Sequence, residues 1–286
     1  MRIGILTSGH LGFVVLKIIS ESYDIDFIFT DKNSTDIIDY ANTNRIALFI
    51  GNPRNQNCQS FIRDKEIDVL ISINYLFIIE NDLISLPRLL AFNIHGSLLP
   101  KYRGRTPHVW AIINNEKETG ITAHLIDSDC DTGNIIKQLR IPIKKNDTGA
   151  DILNKFQKSY FGLISSILKD IEQNNKVETT KQDHKKSSYF GKRTPKDGLI
   201  NWEWQKERIH NWVRAQANPY PGAFTYMNNQ KLTVDEVKFS DHHFTDTMPN
   251  GFIISEKPFI VKTPNGAIEI CSFRENIDIT KGLILS

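Results

Sequence analysis

The feature that most constrains the fold is an alternation in the first half of the chain, where short runs rich in Ile, Leu, Val and Phe are separated by stretches with helical spacing. Arg2–Thr7 is the first run; it ends in the turn Ser8-Gly9-His10-Leu11-Gly12, and a helical stretch follows to Ser20. Ile25–Thr30, Ile46–Gly51, Asp68–Ile73 and Leu89–Ile94 read as further strands, with helices over Ser34–Asn44 and Asn57–Lys65. Asp68–Ile73 is almost continuously apolar, as a strand covered on both faces must be. Strands alternating with helices predict an α/β domain with a Rossmann-like, mostly parallel sheet flanked by helices. Ligands of such sheets collect at the carboxyl ends of the strands, so residues after Ile73 and Ile94 have a positional claim on function. The turn after the first strand does not match G-x-G-x-x-G and is weak support for a dinucleotide site.

Gly120–Asp127 and Asn134–Ile143 read as two more strands, joined by the turn-rich Ser128-Asp-Cys-Asp-Thr-Gly133. Ile152, Leu153, Phe156, Tyr160, Leu163, Ile164, Ile167, Leu168 and Ile171 recur at helical spacing and predict a core-facing helix. Gln173–Lys186 is polar and reads as a linker or loop. Beyond it, a helix over Gln205–Gln216 precedes short alternating segments: Ala223–Met227, Lys231–Phe239, Gly251–Ser255, Phe259–Thr263 and Ala267–Phe273. These predict a small, mainly antiparallel, OB-like β domain. A chain of 286 residues accommodates two domains, and the expected division is 1–186 and 187–286.

A formal net charge of +2 does not indicate nucleic-acid or membrane binding. No apolar run approaches the roughly 18 residues of a membrane span. The opening residues read as the first strand rather than a leader. Three widely spaced cysteines make neither a disulfide framework nor a zinc pattern, which suits a reducing cytoplasm. No ligand cluster for a metal is evident.

The densest group of reactive side chains is Phe92–Pro107. Asn93 and His95 are two apart at a strand end, so they project to one face. An amide N–H can donate to a developing oxyanion, and an imidazole can move a proton near neutral pH. A carboxylate would orient the histidine and raise its pKa; Asp127, Asp129 and Asp131 lie in a loop that could reach it. Lys101 and Arg103 bring positive charge suited to a pyrophosphate.

The run Asn93-Ile-His95-Gly-Ser-Leu-Leu-Pro-Lys-Tyr-Arg-Gly-Arg105, with Gly120-Ile-Thr122 and Asp131-Thr-Gly133, closely resembles the folate-dependent formyltransferases. The resemblance covers roughly residues 1–230. It implies N10-formyltetrahydrofolate as donor, no metal, and Asn93, His95 and Asp131 as the catalytic triad. It further implies a donor pocket lined by Arg105, by the loop residues Asp127, Ser128, Asp129 and Cys130, and by Tyr75 and Phe77. Lys101, Tyr102, Arg103, Trp110 and Tyr220 are the expected substrate contacts. Ser188–Pro195, Asp197–Trp202 and Arg214–Phe224 resemble the enzymes that formylate nucleotide-linked amino sugars. The expected acceptor is dTDP-4-amino-4,6-dideoxyglucose, for O-antigen and lipopolysaccharide synthesis. UDP-4-amino-4-deoxy-L-arabinose and methionyl-tRNA are the alternatives, and a non-catalytic folate- or nucleotide-binding module is the rival class. The expectation is a stand-alone sugar enzyme, without the dehydrogenase/decarboxylase domain that is fused in the arabinose enzyme. The C-terminal strands could supply a homodimer interface.

Overall fold

The structure, a computed structural model, describes residues 1–54 and 56–286. Its strands begin with β1 (Arg2–Thr7), β2 (Asp24–Thr30), β3 (Ala47–Ile50), β4 (Val69–Ile73) and β5 (Leu90–His95). The two-residue β6 (Arg103–Gly104) follows, then β7 (Glu118–Leu125) and β8 (Ile135–Pro142). The helices here are α1 (Gly9–Ser20), α2 (Thr35–Thr43), α3 (Gln56–Ile62), the short α4 (Asn81–Ile84), α5 (Pro107–Ile113) and α6 (Gly149–Asn174). Seven strands form one sheet in the order β3-β2-β1-β4-β5-β7-β8. Pairing is parallel from β3 through β5 and antiparallel between β5 and β7. The expected α/β architecture is therefore present, and the strand order reverses direction between β1 and β4.

Every residue of β4 is buried, as its unbroken apolar character demands. Phe27, Phe29, Phe49 and Phe61 fill one side of the core, with the Phe29 and Phe49 rings stacked at 4.7 Å and Phe61 edge-on to Phe29 at 5.3 Å. Helix α1 lies so close to β1 that a Cβ on Gly12 would sit 2.1 Å from Thr7 Oγ1.

Helix α6 starts three residues before the apolar period. Thr148 and Asp151 form a reciprocal cap, with Thr148 N–H donating to Asp151 Oδ2 at 2.9 Å and Asp151 N–H to Thr148 Oγ1 at 3.1 Å. Helix α5 escaped the sequence reading because seven residues carry too little periodicity. It starts at Pro107, whose ring presets the first helical φ.

The chain divides into two compact units. The first comprises Met1–Gly104, Gly120–Ile141 and Lys155–Tyr189; the second comprises Arg105–Thr119, Pro142–Asn154 and Phe190–Ser286. A two-residue β9 (Tyr189–Phe190) precedes α7 (Lys206–Ala215), β10 (Ala223–Met227), β11 (Gln230–Ser240), β12 (Ile253–Ser255), β13 (Ile260–Thr263) and β14 (Gly266–Phe273). The last five strands form an antiparallel sheet, β10-β11-β14-β13-β12, as the short alternating segments predict. Asn228 and Asn229 close the β10–β11 hairpin, both at positive φ (49° and 62°), the geometry whose twist matches the strands. Arg193 is held between aromatic faces in this unit, 5.0 Å from the Trp110 ring centre and 4.3 Å from that of Trp212.

Two further glycines of the first unit are pressed against backbone. A Cβ on Gly133 would lie 1.9 Å from the Leu125 carbonyl oxygen, and one on Gly120 would lie 2.3 Å from that of Leu139. Both obstacles are backbone and cannot rotate away. Gly133→Ala is expected to cost about 1–3 kcal/mol, a Tm drop of roughly 3–10 °C for a chain of this size, readable by thermal denaturation.

Candidate active site

The register between β5 and β7 sets out the reactive groups. Asn93 pairs with His124 and His95 with Thr122, and directly paired residues share a face of the sheet. Asn93 and His124 meet there, with Asn93 Nδ2 3.0 Å from His124 Nε2. His124 Nδ1 lies 2.8 Å from the Leu125 carbonyl oxygen, which can only accept. With the Nδ1 hydrogen directed at that carbonyl, the Nε2 lone pair accepts from the Asn93 amide. Sequence reading missed His124, because facing Asn93 across the sheet is a matter of strand register. Its one local signal is that it alternates in phase with Thr122 along an apolar strand.

Beyond β5 the chain turns through Gly96–Gly104 under several internal bonds. Thr122 Oγ1 donates to the Ser97 carbonyl at 2.6 Å, and Gln138 Nε2 donates to that of Leu99 at 2.8 Å. Tyr102 adopts a left-handed backbone (φ 59°), and its carbonyl oxygen accepts from His95 Nε2 at 2.7 Å. The other ring nitrogen, His95 Nδ1, faces Asp131 Oδ1 at 3.4 Å. The same oxygen lies 3.5 Å from His124 Nε2, while Asp131 Oδ2 accepts the Gly104 N–H at 2.9 Å. Asp131 too is left-handed (φ 59°). Its side chain is 9% exposed, so this carboxylate is almost wholly removed from water.

The electrostatics follow from burial and charge. Burial pushes the His95 pKa below the ordinary imidazole value, and the Asp131 carboxylate only partly offsets this. Burial would raise Asp131, but His95, His124 and the Gly104 N–H outweigh it and hold the carboxyl below the usual range. At neutral pH Asp131 is ionised and His95 is a neutral base. A proton added to His95 at Nδ1 would face a carboxylate while Nε2–H stays on the Tyr102 carbonyl, so the imidazolium has both donors matched.

The remaining sequence-identified residues divide by position. Asp127, Ser128, Asp129 and Cys130 are exposed, and Asp127 Oδ1 accepts from Thr132 Oγ1 at 2.7 Å, closing the loop on itself. Tyr75 is half-buried against the Phe27–Phe29–Phe49 core and edge-on to Phe77 at 5.5 Å. Between and beyond them Leu76 and Ile78, in the same stretch 74–79 expected to wall the donor pocket, are exposed by 44% and 58%. Lys101 is exposed and Tyr102 buried. Arg103 is also buried, with Nη2 2.6 Å from Gln182 Oε1 and 3.2 Å from His184 Nδ1. Its guanidinium is therefore committed within the protein rather than to solvent. Arg105, Trp110 and Tyr220 belong to the second unit. There Arg105 is exposed, Trp110 packs on Phe190 with ring centres 4.8 Å apart, and Tyr220 Oη lies 2.8 Å from His108 Nε2.

Among the described residues, no group of three or more His, Cys, Asp or Glu could hold a metal ion, and no helix is long and apolar enough to cross a membrane.

The first unit is an α/β sheet that brings Asn93, His95, His124 and the buried Asp131 together, and an antiparallel sheet follows in the second; an amide, an imidazole and a carboxylate are groups that can bind an oxyanion and move a proton. Residues 10–167 match the family described as formyl transferase, and residues 192–277 match the formyl transferase C-terminal domain. The chain belongs to the formyl transferase family. Among solved structures it is similar to WlaRD, a sugar 3N-formyl transferase crystallised in the presence of dTDP and 5-N-formyl-THF, at 25% identity and a TM-score of 0.71 over 97% of this chain and 99% of that one. It is also similar to an N-formyltransferase from Helicobacter canadensis in complex with folinic acid and dTDP-3-aminofucose, at 24% identity and a TM-score of 0.74, covering 94% of this chain and 98% of the other. A 4-N formyltransferase from Francisella tularensis matches at 23% identity and a TM-score of 0.68, over 82% of this chain and 96% of the other.

His108 gives a pH dependence of stability. Burial pushes its pKa down to about 4 from an ordinary 6.5. Between those values only the unfolded chain takes the proton, so stability is full above about 6.5 and falls as pH drops through the window. His108→Gln is expected to lose about 2–3 kcal/mol less than wild type between pH 7 and 4.5, measured by urea unfolding at both pH values.

Proposed function

We propose that this chain transfers a formyl group from N10-formyltetrahydrofolate to the amine of a nucleotide-linked amino sugar. The observation that carries this reading is the buried His95–Asp131 pair beside the Asn93 amide at the end of β5, in a chain of the formyl transferase family. The sugar class is supported by WlaRD and the Helicobacter canadensis enzyme, each matching more than nine-tenths of the chain. The exposed Leu76 and Ile78 follow β4, the strand beside β5, and offer apolar faces to an aromatic ring system. The exposed loop Asp127–Cys130 offers backbone polar groups to its edges.

The folate supplies the formyl carbon; the chain's residues do the rest. Neutral His95 accepts at Nδ1 the proton that the acceptor amine loses, directly or through a water. Asp131 then faces the new charge, and the imidazolium is stabilised in a site where water cannot screen the attraction. Asn93 gives one amide hydrogen to His124, which leaves its second for the oxygen that becomes negative when the amine adds to the formyl carbon. The adduct then collapses: the bond between the formyl carbon and folate N10 breaks, N10 takes the proton held on His95, and tetrahydrofolate leaves as the neutral amine. A preorganised donor of this kind is worth about 2.7–4 kcal/mol. His124 fixes which end of the Asn93 amide faces the reaction. Lys101, exposed next to the committed Arg103, is the basic group open to a pyrophosphate.

The acceptor read from sequence is dTDP-4-amino-4,6-dideoxyglucose, made in the cytoplasm for O-antigen synthesis. A 3-amino isomer is the second reading. The observation favouring it is that the 3N-formyl transferase and the enzyme bound to dTDP-3-aminofucose match 97% and 94% of the chain, against 82% for the 4-N enzyme.

Wild type incubated with N10-formyltetrahydrofolate and each amino-sugar nucleotide should yield one formylated product by mass spectrometry. Asn93→Ala should lower kcat by about 100–1,000-fold and His95→Ala by about 100–10,000-fold. The acid limb of kcat/KM should lie below the ordinary imidazole value of 6.5, because His95 must be neutral to act. Near-wild-type rates in the folded variants, or no formyl gain on any amino sugar, would sink the reading.

A further inference from the structure

The two groups that flank the His95 ring are the Tyr102 carbonyl and the Asp131 carboxylate. Each is carried by a non-glycine residue in the left-handed backbone region. Such a residue lies about 1–2 kcal/mol above its relaxed conformation and persists only where its surroundings hold it. Both are held by one stretch of chain, residues 180–188. On one side, Tyr102 N–H donates to Ser188 Oγ at 2.9 Å and Arg103 N–H to the Ser188 carbonyl at 2.8 Å. On the other, Thr180 and Ile135 exchange two backbone bonds of 2.7 and 2.8 Å.

Gln182 joins the two sides. It is 3% exposed in a segment that is otherwise polar and largely exposed. Its Nε2 donates to the carbonyls of Asp131 at 3.0 Å and Gly133 at 2.7 Å. Its Oε1 accepts from Arg103 Nη2 at 2.6 Å. Both amide hydrogens and the amide oxygen are used, and the partners are the backbone of Asp131, that of Gly133 two residues on, and the side chain of Arg103, the residue after Tyr102. Gly133, at the far end of the bridge, has no space for a Cβ, so the loop cannot shift toward β7 to compensate.

We propose that Gln182 is a positioning residue for formyl transfer: its amide ties Arg103 to the Asp131–Gly133 backbone and so sets where the Asp131 carboxylate meets His95. This rests on the function proposed above. Gln182 acts through Asp131 and touches neither donor nor acceptor, so its loss should weaken turnover while leaving binding intact.

The test uses the full chain with Gln182→Glu, which keeps an acceptor for Arg103 and removes both donated bonds, and Gln182→Met, which removes all three at similar volume. Kinetics with N10-formyltetrahydrofolate and the amino-sugar nucleotide should give a roughly tenfold or greater loss in kcat, with both KM values within about twofold. Placed on Asp131→Asn, the same substitution should cost less than about twofold, because the group it positions is already disabled. Independently of any substrate, the imidazole nitrogen resonances of His95 should move in the folded Gln182→Glu protein, read by long-range proton–nitrogen NMR. An unchanged kcat in both folded variants, an equal loss on Asp131→Asn, or unmoved His95 resonances would overturn the proposal. A wild-type chain that formylates no amino sugar would defeat the functional reading instead, and the His95 resonances would still decide the positioning role.

Discussion

One buried carboxylate organises the first unit. Asp131 Oδ1 stands between two imidazoles, 3.4 Å from His95 and 3.5 Å from His124, and Oδ2 is bound by the Gly104 N–H. Removing a carboxylate from water costs several kcal/mol unless it is hydrogen-bonded and matched by charge. In the resting site the Gly104 N–H supplies the hydrogen bond, and the match of charge is completed when His95 takes up a proton at Nδ1, facing Oδ1. A carboxylate so placed makes the proton on His95 more favourable than burial alone allows. Burial keeps the ring neutral beforehand.

That arrangement depends on backbone that would not adopt its conformation unaided. Tyr102 and Asp131 are left-handed, the Gly96–Gly104 turn is pinned by Thr122, Ser97 and Gln138, and Gly133 is pressed against the Leu125 carbonyl. The polar stretch after α6 is bonded along this machinery rather than acting as a free connector, with Gln182 as its buried anchor. Its polar composition is that of a loop; its hydrogen bonds are those of a structural strap.

The second unit has its own logic. Arg193 is clamped between Trp110 and Trp212, and Arg274 binds Asp235 and the carbonyls of Tyr220 and Pro221, which sets the turn that carries Tyr220 to His108. Residues 105–119 and 142–154 join this unit although they lie far from it in sequence. No change of composition marks those segments, because the grouping arises from packing between elements.

The amino-acid order alone determined the alternating strands and helices, the almost continuously apolar β4, the alternating C-terminal strands, and the Asn93–His95 pair; it left three loop aspartates open, and resemblance to a family, not spacing, chose Asp131 among them. Those features rest on local periodicity and short spacing, which are written directly in the chain. Tertiary structure decided the rest. His124 faces Asn93 only through the antiparallel register of β5 and β7, Arg103 turns inward because Gln182 waits 79 positions away, and Leu76 and Ile78 stand out because Tyr75 turns toward the core. Such facts belong to pairs of residues brought together by folding. A single sequence names both members of each pair but not the register, turn or burial that joins them.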